Sequence, residues 1–179
     1  ALESLILPSR LPGYHPALLD ELTTAGEVVW AGCGALSGGD GWVALAPADV
    51  ADLLLPEADH DVGETGPVHE AVLSAVEHGA LFFRQLVDRV PPLLDSPPDD
   101  ATVVAALWDL TWAGLVTGDT LAPLRAQVSG GGAAHKPRRS APRGRYARMR
   151  ASRPAMPSRS GPPTVAGRWG PAPPRETDP

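Results

Sequence analysis

Val68-His69-Glu70-Ala71-Val72-Leu73-Ser74-Ala75-Val76-Glu77-His78 places Val68, Val72, Leu73 and Val76 on one face of a helix, and Gly79 closes it. Ala80-Leu81-Phe82 then reads as a very short strand or extended link. Helical spacing resumes through Phe83, Leu86, Val87 and Val90 until Pro91-Pro92. After Ser96-Pro97-Pro98, Asp99 or Asp100 is placed to cap a longer helix running to Ala113. The apolar positions Val103, Val104, Leu107, Trp108, Leu110 and Trp112 nearly encircle that helix, which predicts burial at an interface. Gly114 ends it, and Leu115-Val116-Thr117-Gly118-Asp119-Thr120-Leu121 can form a strand and turn. Helix, short strand, helix, helix and extended wing is the order of a winged helix, and residues 68–121 have the length for one.

Upstream, Leu5-Ile6-Leu7 is a short apolar run that reads as the end of something already under way. Pro16 suits a first helical position, Leu18, Leu19 and Leu22 share a face, and Gly26 is a natural stop, so a helix of ten or so residues is expected there. The period then changes. Glu27-Val28-Val29-Trp30-Ala31-Gly32-Cys33 and Trp42-Val43-Ala44-Leu45 are β-branched and aromatic runs around Ser37-Gly38-Gly39-Asp40-Gly41, the pattern of a hairpin. A short helix over 47–55 precedes Pro56. Helix plus hairpin is the back half of the same winged unit.

Downstream of Ser129 the chain is almost entirely Gly, Pro, Ala, Ser and Arg, which cannot bury enough apolar surface to offset the entropy of ordering it. The expected fold is therefore mainly α with small β-hairpins, an α+β arrangement of tandem winged-helix modules, the first incomplete. Residues 1–56 form the partial module (a recognition-type helix plus hairpin wing), 57–66 an acidic linker, 67–128 the winged-helix module, and 129–179 a disordered basic tail.

Charge divides along the same line. The first 128 residues hold four basic side chains against nineteen acidic, a net of −15, and the last 51 hold eleven against two, a net of +9. An acidic body with a flexible cationic segment attracts phosphate backbones through counterion release without reading sequence. A plain linker rich in Arg, Pro, Gly and Ala through codon bias is the alternative. The candidate third helices, near 15–26 and 99–113, contain no Lys or Arg, so they are expected to pack on neighbouring modules rather than read DNA. The candidate phosphate contacts are Arg10, Arg84, Arg89, Arg125, Lys136, Arg138, Arg139, Arg143, Arg145, Arg148 and Arg150.

Other chemistry is thin. Cys33 is the lone cysteine, so no intramolecular disulfide or cysteine metal cluster can form, and a small buried thiol is the bland reading. His60, His69 and His78 recur every nine residues, but that spacing puts His69 and His78 on opposite helix faces, and solvated positions fit better than a metal site. Gly32-Cys33-Gly34 and Ser37-Gly38-Gly39-Asp40-Gly41 precede a strand rather than a helix N-terminus, and no Gly-Lys-Ser/Thr occurs, so a hairpin turn is expected and no nucleotide motor. Ser4, Ser9 and Ser37 lack a G-x-S-x-G setting. Asp109, inside an apolar helix, is the carboxylate to inspect. No catalytic and no metal residue is assigned. No secretory leader or stretch of 18 apolar residues occurs in the sequence as given, which points to a soluble, cytoplasmic protein with no membrane partner.

Residues 105–126, Ala-Ala-Leu-Trp-Asp-Leu-Thr-Trp-Ala-Gly-Leu-Val-Thr-Gly-Asp-Thr-Leu-Ala-Pro-Leu-Arg-Ala, resemble the large helicase-related (Lhr) family of superfamily-2 helicases. Leu2-Glu3-Ser4, Leu7-Pro8-Ser9-Arg10, Pro16-Ala17-Leu18-Leu19-Asp20-Glu21-Leu22, Gly26-Glu27-Val28-Val29-Trp30-Ala31-Gly32 and Gly79-Ala80-Leu81-Phe82-Phe83-Arg84-Gln85-Leu86 match in the family's order, and Gly167-Arg168-Trp169 resembles the motif after its variable linker. The resemblance implies a stretch of the family's C-terminal extension, a series of winged helices with a β-barrel similar to winged-helix DNA glycosylases. The family's ATP and Mg²⁺ belong to its motor domains, whose motifs are absent here, so no cofactor is expected in this chain. No glycosylase residue carries over. The resemblance also implies a fragment of an ATP-dependent DNA-repair helicase, serving as scaffold or DNA-binding support, with DNA and the rest of the helicase polypeptide as partners. An acidic winged-helix module that binds protein, or its own kind as a homo-oligomer, with a basic tail, is the competing reading.

Overall fold

A computed structural model describes residues 2–58, 65–94, 96–129 and 161–175. A π-helical turn over Leu2–Ile6 leads into α1 (Leu7–Arg10), and α2 (Pro16–Ala25) follows, entered through Pro16 and ended by Gly26. Gly26 supplies the left-handed backbone (φ 76°) that lets the chain turn out of the helix. Strands β1 (Val28–Leu36) and β2 (Asp40–Pro47) pair antiparallel as expected, with a bulge between Gly32 and Ala35. A 3₁₀ turn over Ala48–Val50 and the single-turn α3 (Ala51–Leu54) complete this part.

Helix α4 (Pro67–Val76) buries Ala71, Val72, Ala75 and Val76. The two-residue β3 (Leu81–Phe82), α5 (Phe83–Arg89) and α6 (Asp100–Trp112) come in the expected order. Asp99 caps α6, its carboxylate accepting from the Thr102 backbone N–H at 2.8 Å. That bond holds the Asp99 carboxyl below its usual range. Strand β4 (Val116–Gly118) follows, then α7 (Ala122–Val128) and β5 (Arg168–Pro171). The three short strands form one antiparallel sheet in the order β3-β5-β4. Helix, strand, helix, helix, strand, helix, strand keeps the order of a winged helix with one added helix, α7, between the last two strands; α6 takes the third-helix position and β4 and β5 the wing-strand positions.

Two expectations need correction. The unstructured tail was expected to run to the C-terminus, yet residues 161–175 are folded. A 3₁₀ turn over Pro163–Val165 leads into β5, the central strand of the sheet, and Trp169 is fully buried. One large indole supplies the apolar area that a Gly/Pro-rich stretch otherwise lacks. The basic run over 130–160 is therefore not a terminal tail but a segment between β4 and β5; its own residues lie outside those described. Helix α7 was also unforeseen, although Pro123 in its first turn is compatible with a helix N-terminus.

The second correction concerns the core. A linker at 57–66 was expected to separate two modules, but one cluster of buried side chains joins Leu19 and Trp30 from the first stretch to Val72, Leu86, Leu107, Leu110, Val116 and Trp169 from the second. At its centre the Trp169 ring meets Trp30 and Trp108 edge-on, with centroids 6.4 and 5.6 Å away. A smaller cluster of Ala31, Ala46, Ala51 and Leu55 seals α3 against the other face of the hairpin.

Candidate nucleic-acid interface

Helix α6 stands where a winged helix ordinarily inserts into a major groove. Its sequence makes that role untenable. Val103, Ala106, Leu107, Trp108, Leu110, Thr111 and Trp112 are buried, on faces pointing in several directions. One side packs on α4 and another on β1. The approach of the hairpin is close enough that a Cβ on Gly32 would run into the Thr111 carbonyl, and one on Gly41 would strike the Trp112 ring. The expectation of burial at an interface is thus met, and the covering element is the helix-hairpin unit of the first stretch. What α6 leaves to solvent includes Asp100, Ala101, Thr102, Ala105 and Asp109, with no cation among them.

Asp109 is explained by a neighbour rather than by catalysis. Its carboxylate lies 3.3 Å from His69 Nε2 and is more than half exposed. The other ring nitrogen of His69 accepts from the Gly66 backbone N–H at 3.2 Å, at the entry to α4. His69 thus closes an N-terminal cap and reaches across to α6. His78 is solvated beside Glu77, and His60 lies outside the described residues. Among the described residues no three His, Cys, Asp or Glu side chains gather as metal ligands would. The glycines at 32–41 serve the β1 bulge and the hairpin turn, where Gly38 and Gly39 take φ of 86° and 77°. A strand follows them, so there is no helix N-terminus to cradle a nucleotide phosphate. Cys33 is half-buried in β1, and burial pushes its thiol up, away from the reactive thiolate.

The root of the wing is built to hold still. Asp119, directly after β4, accepts from both the backbone N–H and the Nε of Arg168 at 2.8 Å each, while its own N–H donates to the Arg168 carbonyl at 3.0 Å. Two residues further on, Asp20 of α2 accepts from the Thr120 hydroxyl at 2.8 Å and from the Leu121 N–H at 3.1 Å. Thr24 donates to the Asp119 carbonyl. The end of β4 and the start of β5 are thereby clipped to each other and to α2. That segment holds nine Lys and Arg and no Asp or Glu.

The candidate cations fall into three groups. Arg125 is saturated: its Nη1 meets Asp20 at 2.6 Å, its Nε and Nη2 meet Glu3 at 2.7 Å each, and Nη2 also reaches the Pro16 carbonyl. The Arg125 hydrogen bond holds Glu3 below the usual carboxylate range. Burial pushes Asp20 up, but the bonds from Arg125, Thr120 and Leu121 outweigh it and the net shift is downward. Tyr14, pushed up to about 12 by burial and by donating to Glu3, completes a network that ties the N-terminal π-helical turn and α2 to α7. Arg84 pairs with Asp100 at 2.7 Å, and Arg89 reaches the Ala75 carbonyl at 3.5 Å. Arg10 is exposed. Lys136, Arg138, Arg139, Arg143, Arg145, Arg148 and Arg150 lie outside the described residues. Sequence reasoning passed over Arg168, an exposed guanidinium on β5 whose signal was the Gly167-Arg168-Trp169 motif.

No described helix is long and apolar enough to cross a membrane. A family profile described as "Large helicase-related protein, winged-helix domain" matches residues 1–48. The chain is 43% identical over 185 residues to a Mycolicibacterium smegmatis protein named "Lhr helicase/ probable uracil glycosylase", a match covering 99% of this chain and 12% of that protein. It is 34% identical over 169 residues to an Escherichia coli protein named "Lhr helicase/uracil glycosylase", covering 93% of this chain and 11% of that one. The chain therefore spans about a tenth of the length of the curated relatives it matches.

Proposed function

From its membership of the large helicase-related (Lhr) family, we propose that this chain is a non-catalytic winged-helix part of such a helicase that contacts DNA backbone through the basic segment of its wing. The observation that carries this reading is the inverted use of the fold. The third-helix position is covered and cation-free, and the cations are concentrated between two clipped strands. Phosphate contacts of this kind position a duplex or strand without specifying its sequence. In the whole protein, ATP and Mg²⁺ would serve motor domains elsewhere in the polypeptide, and DNA repair is the process that the helicase and glycosylase names of the relatives suggest. A location in the cytoplasm follows from the same role.

A second reading has its own support. Trp42 on β2 and Leu53 and Leu54 on α3 are each more than 60% exposed. Apolar side chains of that size in solvent fit docking against the rest of the helicase polypeptide, or against a second copy of this chain. The two readings are compatible, because the apolar residues and the wing root involve different elements.

A salt titration of binding to single-stranded and duplex DNA tests the main reading. With nine cations available, the slope of log K against log salt is bounded near −8 on duplex DNA and near −6 on single strands, both rough figures. A variant in which residues 130–160 are replaced by a short Gly-Ser linker should lose both affinity and slope. Undiminished binding by that variant would overturn the reading.

A further inference from the structure

One large apolar side chain stands on the outer face of the sheet at the root of the basic segment. Leu81 turns into the core, and Phe82, the next residue of β3, points the other way and is 55% exposed. Its partner directly across the strand pair is Arg168. Arg168 is held by Asp119 through Nε, and its two terminal nitrogens have no acceptor among the described residues. Phe82 also lines a cleft of about 440 Å³, together with Arg84 and the returning chain at Gly161, Pro163 and Gly167. Arg84 binds Asp100 through Nη1 and lies 5.5 Å from the centroid of the buried Phe83 ring, while its Nε is buried with no acceptor among the described residues. Gly161 sits so close to Phe83 that a Cβ there would come within 2.6 Å of the ring, which fixes the chain leaving the basic segment beside this cleft.

An exposed aromatic ring with one fixed guanidinium across the strand pair and another lining the adjoining cleft, near in sequence to a segment with nine cations and no carboxylate, is matched by one ligand chemistry. A nucleotide in an unpaired strand offers a flat π-face to the ring and a phosphate to each cation. A base in a duplex has its faces occupied by its neighbours and can offer only its phosphates. We propose that Phe82, flanked by Arg84 and Arg168, is a stacking platform for an unpaired base of single-stranded nucleic acid. The inference rests on the reading that the basic segment contacts nucleic acid, and it adds a preference that charge alone does not give.

The test compares two oligomers of equal length and charge, one of thymidine nucleotides and one of abasic phosphodiester units, binding to the full chain at one salt concentration. The platform predicts about tenfold tighter binding of the thymidine oligomer, since base–aromatic stacking of one base has that order of effect. Phe82→Ala should erase the difference by weakening the thymidine oligomer and leaving the abasic one unchanged, and Phe82→Trp should keep it. Thermal melting of both variants guards against misfolding; Phe82 is more than half exposed, so neither should melt much below the parent chain. Equal affinity for the two oligomers, or a difference that survives in Phe82→Ala, would overturn the platform while leaving the charge reading intact. Failure of both oligomers to bind even at low salt would remove the charge reading, and the platform with it.

Discussion

Helix α6 and the β4–β5 pair occupy the two places from which a winged helix meets DNA, the third helix and the wing. Their sequences are opposite in kind. Helix α6 is apolar on nearly every side, carries no cation, shows Asp100 and Asp109 to solvent and is overlaid by the β1–β2 hairpin. The strands are short and bracket a segment with nine cations and no anion. The difference teaches that the same fold can be divided between two jobs. A helix without cations is spent on joining two stretches of chain into one core, and on the reading proposed above the electrostatic work falls to the basic stretch of sequence between α7 and β5.

The comparison can be broken most severely at Trp169, the residue that makes β5 part of the core. Trp169→Ala empties a site ringed by Trp30 and Trp108 and should cost about 3–5 kcal/mol in a denaturant titration, with the wing root losing its central strand. A loss below about 1 kcal/mol would mean that β5 is not integral to the sheet. Gly32→Val comes next. Its side chain would have to displace the Thr111 backbone, so the hairpin must lift from α6, at a cost of about 3 kcal/mol. An unchanged melting temperature would show that α6 is not covered as described.

Arg125 sharpens the wing side of the comparison. Arg125→Met leaves Glu3 and Asp20 facing each other without a counter-charge and should cost about 2 kcal/mol at neutral pH, less than a deeply buried pair and more than an exposed one. The pH dependence has a definite sign. Both carboxyls titrate below their ordinary values of 4.5 and 3.8 in the folded chain. Their stabilising contribution is therefore fully present above those values and is lost as the pH falls through the depressed ones. The parent chain should lose stability in that acidic window, and Arg125→Met should lose less there. The smallest effect is expected at Asp109. Asp109→Asn keeps an acceptor for His69 at an exposed position and should shift stability by no more than about 0.5 kcal/mol. A large loss would give that carboxylate a role beyond this contact.

Much of the body was legible in the sequence for local reasons. The cap at Asp99, the encircling apolar positions of α6, the Gly-bounded helix over Pro16–Ala25 and the Gly/Asp turn of the hairpin are each written within a dozen residues. The absence of Lys and Arg from α6 already argued against its reading DNA. What could not be read was non-local. Strand β5 is four residues containing Gly and Pro, and it pairs with β4 across about fifty residues of sequence and with β3 across more. No periodicity marks such a strand, and only Trp169 hinted that the low-complexity stretch returns to the core. The use of Arg125 was hidden in the same way, because Glu3 lies 122 residues away. Candidate phosphate contacts picked by residue type alone could not separate it from a solvent-exposed cation such as Arg10.

The most direct measurement of the central claim is to crosslink the full chain to DNA carrying photoreactive thymine analogues and to map the attachment points by peptide mass spectrometry. The division of labour described above predicts adducts within residues 130–160 and at the wing root, around Phe82 and Arg168, with none on residues 100–112. Adducts concentrated on the exposed positions of α6, from Ala101 to Asp109, would contradict it.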